Sequence, residues 1–239
     1  MKLYKDLFID FDDTLYDTRG NAIIALSELY EEMGFGELLE SEEKFYEAYW
    51  QTNLALWGQY SRNEITRDYL IVERFRRPLS ECAIQKKENW PTADYCLQVS
   101  DVFLSLCSSK PGLLDGAREL MDDLRRKGYR MHLCSNGFHE VQYKKLRACG
   151  LMDYFDSVIL SEDAGANKPS ATFFEYALRT TGAKRESTLM IGDNYQSDIV
   201  GALDAGIDAM LYLRWDPDFV PPRKVNYVVP TLRDISAIL

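Results

Sequence analysis

With 239 residues, 46% hydrophobic and 28% charged, the chain suits one large globular domain or a core domain with a smaller insert. Its formal net charge of −10 repels polyanions at long range, which argues against nucleic acid polymers and anionic membranes as main partners, while a small phosphorylated substrate can still be held by a local cation. Five cysteines (82, 96, 107, 134 and 149) form no CxxC pair and are odd in number, so they read as reduced, packed thiols of a cytoplasmic protein.

The start MKLYKDLFIDFDDTL turns acidic before any apolar run develops, so no signal peptide is expected there, and no apolar stretch approaches the ~20 residues of a membrane span. Leu7 to Phe11 reads as a first buried strand. Residues 17 to 108 then hold no convincing strand. Ile23, Leu26 and Tyr30, then Phe45, Tyr49, Leu54 and Trp57, recur at helical spacing, and Asn63 is placed to cap a helix through Ile65, Tyr69 and Val72. A further helix is expected over Asp94 to Leu106, before the turn Pro111-Gly112.

From there strand and helix alternate. Strands are expected at Arg130 to Cys134, Ser157 to Leu160, Leu189 to Ile191 and Ala209 to Leu213. Helices are expected at Asp115 to Lys127, Glu140 to Cys149, Ala171 to Thr181 and Ser197 to Ala205, each closed by a glycine. Tyr227 to Val229 suits a short edge element. This alternation predicts an α/β fold, a Rossmann-like parallel sheet with helices on both faces, with an inserted α-helical cap domain. The boundaries are 1–16 and 109–239 for the core and 17–108 for the cap.

Four strand ends carry polar groups. Asp10, Asp12 and Asp13 follow the first strand, and Ser135-Asn136-Gly137 follows the second. Asn167-Lys168-Pro169 precedes a helix whose first turn Pro169 can occupy, and Gly192-Asp193 is followed by Asp198. Ligands of parallel sheets bind beyond the carboxyl ends of strands. Taken singly, the acids suit a solvated turn, Ser-Asn-Gly a plain turn, Lys168 a surface charge and Asp198 a helix-start residue. An EF-hand is a poor fit, because position six would be Leu15 and position twelve Asn21. Together the four form one pattern: acids for a metal and for proton transfer, a hydroxyl and backbone N–H groups to cradle phosphate, and one fixed cation.

The ordered set DxDxT, SN, KP and GDxxxxD resembles the haloacid dehalogenase superfamily over about 1–15 and 109–215. Ser135-Asn136-Gly137-Phe138, Leu160-Ser161-Glu162 and Asn167-Lys168-Pro169 look like its pyrimidine and noncanonical 5'-nucleotidase branch. The resemblance implies a Mg²⁺-dependent phosphatase that forms an aspartyl phosphate on Asp10, with Asp12 as acid and then base. It implies Mg²⁺ at the Asp10 and Asp193 carboxylates and the Asp12 carbonyl, with Asp198 orienting metal-bound water. Ser135, the Asn136 N–H and Lys168 would hold the phosphoryl oxygens.

Dehalogenase and phosphonatase members lack an acid two residues after the nucleophile, so Asp12 points to phosphate esters. Asp13 reads as a solvent or turn residue. His132 and His139 are too few and scattered for a histidine phosphatase, no Cys has Arg six residues on, and no GxxxxGK[ST] loop occurs. Trp57 and Tyr60, beside an expected helix break at Gly58, are the candidates for a nucleobase contact, with Arg62 and Arg67 behind them; packing is the alternative for any one aromatic of the cap. The expected substrate is a nucleoside monophosphate and the expected assembly a monomer or homodimer. The alternatives are a small-metabolite or sugar-phosphate phosphatase, a β-phosphoglucomutase-like phosphomutase, or an idle binding module.

Overall fold

The computed structural model describes residues 4–85 and 88–239. The chain separates into two compact units, Met1–Thr18 with Pro111–Leu239, and Arg19–Lys110.

The first unit opens with β1 (Asp6–Ile9), every residue of which is buried. The chain then builds α1 (Thr18–Glu32), which enters the second unit after its first residue, and α2 (Glu42–Ser61), α3 (Arg67–Cys82) and α4 (Ala93–Ser108) of that unit before returning as α5 (Ala117–Arg126). There follow β2 (Arg130–Ser135), α6 (His139–Ala148), β3 (Ser157–Leu160), the short α7 (Ser161–Ala164), α8 (Ala171–Thr181) and β4 (Thr188–Gly192). A wide π turn over Tyr195–Val200 runs into α9 (Gly201–Asp204), and β5 (Asp208–Tyr212), β6 (Tyr227–Val229) and α10 (Leu232–Ile238) complete the chain.

The strands form one sheet in the order β3-β2-β1-β4-β5-β6, and every pairing is parallel. Parallel sheets need apolar cover on both faces, and the alternation of side chains along β1 supplies it. Leu7 and Ile9 join Leu133, Leu189 and Ile191 in one core layer with residues of α5, α6 and α10. Phe8 faces the other way, into a layer with Cys134, Met190, Phe173 and Phe174. β1 lies between β2 and β4, and the crossover from β3 to β4 passes to its other side, so the order reverses beside β1 and opens a crevice at its carboxyl end.

The second unit has its own core around Tyr49, Phe75 and Phe103, whose ring centroids are 5.3–5.4 Å apart. Several local expectations shift here. Asn63 adopts φ 58°, a left-handed conformation that asparagine tolerates, just beyond the end of α2. The cap of α3 is Thr66, whose hydroxyl accepts the Tyr69 N–H at 3.2 Å. Gly58 makes no break, because α2 runs through it to Ser61. In the first unit, Pro169 lies before α8 rather than in its first turn, and Ser170 is the N-cap. The helix expected over Ser197 to Ala205 begins instead as the π turn, because Asn194 takes the Gln196 and Ser197 N–H groups while Asp198 takes the N–H of Asn194. Among the described residues no helix is long and apolar enough to cross a membrane.

Candidate active site

The strand ends of β1, β2 and β4 bring the sequence candidates together. β1 stops at Ile9, but the Asp10 N–H still bonds to Ile191 O at 2.9 Å, which fixes Asp10 at the crevice. Its Oδ1 accepts from Lys168 Nζ at 2.6 Å, and the Thr14 hydroxyl lies 3.0 Å from its Oδ2. Thr14 is also 3.1 Å from Asp193 Oδ1 and accepts the Asp193 N–H, so one small side chain ties the ends of β1 and β4.

Lys168 is 1% exposed. Its ammonium donates to Asp10, to Asp198 Oδ1 at 2.7 Å and to Cys134 O at 2.7 Å. Burial works against this charge, but the Asp10 and Asp198 carboxylates outweigh it and hold the Lys168 pKa above its ordinary value. The main chain of Lys168 is held by Asn136, whose side-chain amide accepts the Lys168 N–H at 2.8 Å and donates to its carbonyl at 3.0 Å. The Asn136 side chain thus fixes the lysine, a role the sequence did not reveal.

Asp10, Asp193 and Asp198 place carboxylate oxygens within 4.8 Å of one another. Burial pushes the Asp10 carboxyl up to about 7 against the pull of Lys168, with Asp198 and Asp12 adding to the rise. Burial, Asp10 and Asp198 likewise push Asp193 well above the usual carboxylate range. Carboxylates held this close repel one another, and hard oxygen donors of this kind fit a divalent cation such as Mg²⁺. Asp198 was expected to act through a metal-bound water. It also bonds Lys168 directly, and a Cβ at Gly192 would collide with its carboxylate, so glycine gives it room to enter.

Asp12 does not continue the strand. It bridges to Tyr16, and its carboxylate is held by Lys145 Nζ at 2.6 Å, Gln142 Nε2 at 2.5 Å and Thr18 Oγ1 at 3.1 Å. Burial pushes this carboxyl up, but Lys145 and the hydrogen bonds outweigh it, and it lies below its ordinary value. Gln142 and Lys145 carry no strong sequence signal, since both residue types usually face solvent; their i, i+3 spacing on α6 is the one hint.

Asp13 is a turn residue at φ 63°, but it is not a solvated one: burial and Asp12 push its carboxyl up to about 7, and its Oδ1 has no hydrogen-bond partner among the described residues. Trp215 was not anticipated; its indole N–H donates to Asp193 Oδ2 at 3.2 Å. Trp57 and Tyr60 lie on α2 of the helical unit, where their rings meet edge to face at 5.6 Å.

A buried aspartate with a fixed lysine, a serine at the neighbouring strand end and a carboxylate cluster thus stand together beyond the carboxyl ends of β1, β2 and β4. The chain matches the family model described as haloacid dehalogenase-like hydrolase over residues 4–206. It is 31% identical over 210 residues to the pyrimidine 5'-nucleotidase PynA of Streptococcus pneumoniae, covering 87% of this chain and 84% of that one. It is 30% identical over 209 residues to a glyceraldehyde 3-phosphate phosphatase of Methanothermobacter thermautotrophicus, covering 87% and 85%. The solved structure of the HAD-hydrolase YfnB from Bacillus subtilis, bound to magnesium, matches with a TM-score of 0.85 at 27% identity and covers 99% of both chains. The chain belongs to the haloacid dehalogenase-like hydrolase family and is a phosphoric monoester hydrolase.

Proposed function

We propose that the enzyme hydrolyses a nucleoside monophosphate through an aspartyl phosphate on Asp10, with Mg²⁺ as cofactor. The observation that carries this reading is the Lys168 ammonium seated between Asp10 and Asp198. It keeps one buried carboxylate available for attack and offers positive charge to a transferring phosphoryl group.

Asp10 Oδ attacks phosphorus in line, forming an acyl phosphate as the bond to the ester oxygen breaks. Asp12 gives its proton to the departing oxygen. The arriving phosphate favours the protonated form of Asp12, because it adds negative charge beside a carboxyl that Lys145 otherwise keeps ionised. Asp12 then takes a proton from water as that water attacks phosphorus, which restores Asp10 and releases phosphate. Ser135, the Asn136 N–H and Lys168 hold the phosphoryl oxygens. Mg²⁺ would be held by Asp10, Asp193 and the Asp12 carbonyl, with Asp198 beside it, and when bound it supplies positive charge that offsets the phosphate and the carboxylates.

We assign base recognition to the helical unit as a cap, through Trp57 and Tyr60. Trp57→Ala and Tyr60→Ala should raise KM for nucleotides and leave it unchanged for a small aliphatic phosphate; an unchanged nucleotide KM removes that assignment. All five cysteines are buried free thiols, which suits the reducing cytoplasm, where we place the enzyme.

The experiment is phosphate release from a panel of nucleoside monophosphates and sugar phosphates, with and without Mg²⁺. A preference for nucleotides supports the proposal. The similarity to a glyceraldehyde 3-phosphate phosphatase favours a second reading, a small sugar phosphate, which a preference for that half of the panel would establish with the same chemistry.

A further inference from the structure

We propose that Gln142, with Lys145 beside it, is a positioning residue that aims two groups at once: it holds the Asp12 carboxylate and commits the Ser135 hydroxyl to donating toward the phosphoryl group. This rests on the roles of Asp12 and Ser135 proposed above.

Gln142 is fully buried on α6 and its Nε2 donates to Asp12 Oδ2 at 2.5 Å and to Ser135 Oγ at 2.6 Å. The two amide protons thus reach the two strand-end groups, one from the loop after β1 and one at the end of β2. The amide orientation is fixed by chemistry. Its Oε1 has no hydrogen-bond partner among the described residues, and the flipped amide would set that oxygen against a carboxylate.

A hydroxyl has one proton to donate and two lone pairs. Ser135 Oγ accepts from Gln142 and from the Gly137 N–H at 3.0 Å, so both lone pairs are used and the O–H is left as a donor. An acceptor hydroxyl facing a phosphate oxygen would repel it, whereas a committed donor binds it without reorganising.

The chain around Gln142 is shaped for its entry. A Cβ at Gly137 would collide with the Gln142 side-chain amide. Three residues further along α6, Lys145 is also buried and donates to Asp12 Oδ1 at 2.6 Å, with the Tyr16 ring 4.9 Å from its ammonium. Both carboxylate oxygens of Asp12 are therefore held from α6, which leaves its side chain little freedom to rotate.

The test compares kcat/KM for an alkyl phosphate and for p-nitrophenyl phosphate in Mg²⁺-loaded wild type, Asp12→Asn, Ser135→Ala, Gln142→Met, Lys145→Met and the Ser135→Ala/Gln142→Met double variant. A phenolate leaves with little need of a proton, so losing a well-aimed acid falls mainly on the alkyl ester. Gln142→Met should cost about 100-fold on the alkyl ester and about 10-fold on the aryl ester, within the range of general acid catalysis. Lys145→Met, which removes the bond to Asp12 Oδ1, should show the same selectivity and combine multiplicatively with Ser135→Ala. Gln142→Met should instead fall short of multiplicative with Ser135→Ala, because it acts through that hydroxyl.

Equal losses on both esters, with multiplicative behaviour towards Ser135→Ala, would make Gln142 a packing residue and overturn the proposal. Should Gln142→Met fail to fold by thermal melting, absence of leaving-group selectivity in Lys145→Met overturns the Asp12 half and with it the joint role. Asp12→Asn separates the two levels. If it loses both esters equally, the acid role of Asp12 is wrong; if it is selective and Gln142→Met is not, only the positioning role fails.

Discussion

Lys168→Met removes the charge on which the buried carboxylates rest and keeps much of the side-chain volume. The lost contacts are those to Asp10 at 2.6 Å, Asp198 at 2.7 Å and Cys134 O at 2.7 Å, all from a side chain that is almost completely buried. Taking one partner from a buried pair costs about 3–5 kcal/mol, because the other charge is left without compensation. The cost also depends on pH. The Asp10 carboxyl lies at about 7 with Lys168 in place, and without the ammonium it rises further. The folded variant then binds a proton that the unfolded chain does not, so its stability grows as pH falls, by up to about 1.4 kcal/mol per unit, down to the ordinary carboxylate range near ~4. Urea denaturation of metal-free wild type and variant at pH 8 and pH 6 reads both effects: a deficit of about 3–5 kcal/mol at pH 8 that narrows at pH 6. Phosphate release should fall about 10²- to 10³-fold, the loss typical of one preorganised electrostatic contact. A deficit below about 1 kcal/mol, equal at both pH values, would refute the reasoning, since it is the size expected of an exposed pair.

Gly137→Ala should mimic Gln142→Met, because the added methyl occupies the space of the Gln142 amide; we expect a stability loss of about 1–3 kcal/mol from overpacking and reduced kcat, and unchanged kcat would contradict it. Mg²⁺ affinity, measured by calorimetry, should rise between pH 6 and pH 8 as the Asp10 carboxyl loses its proton near 7; affinity flat across that range would contradict it. For the same reason the metal-free protein should lose stability as pH rises from ~4 towards 7, since its folded state holds a proton there that the unfolded state has released; thermal melts checked for the opposite trend test this.

Much of the first unit was legible because apolar runs and glycine stops are local signals. Ala171–Thr181, Ser157–Leu160 and Tyr227–Val229 match their expected spans, most other elements shift by a residue or two, and the helix expected from Ser197 starts only at Gly201. Asp10 and Asp193 were legible because polar residues just beyond the ends of buried parallel strands face the crevice where ligands bind, and Lys168 and Asp198 because they stand in the segments that lead from β3 to α8 and from β4 to α9. What escaped was set by tertiary contact. Gln142 and Lys145 look like surface residues of an amphipathic helix until α6 turns that face to the loop after β1. Thr66, not Asn63, caps α3 because the intervening residues turn before the helix starts, and no propensity places that turn. Pro169 was displaced from α8 by Ser170, a better cap one residue later.

The central claim is that Asp10 becomes phosphorylated. Rapid mixing with a ³²P-labelled phosphate monoester and Mg²⁺, followed by acid quench, should leave label on wild-type protein, released by hydroxylamine as an acyl phosphate is, and none on Asp10→Asn, which should also release no phosphate. Sustained phosphate release by Asp10→Asn, or label unchanged by that substitution, would contradict it.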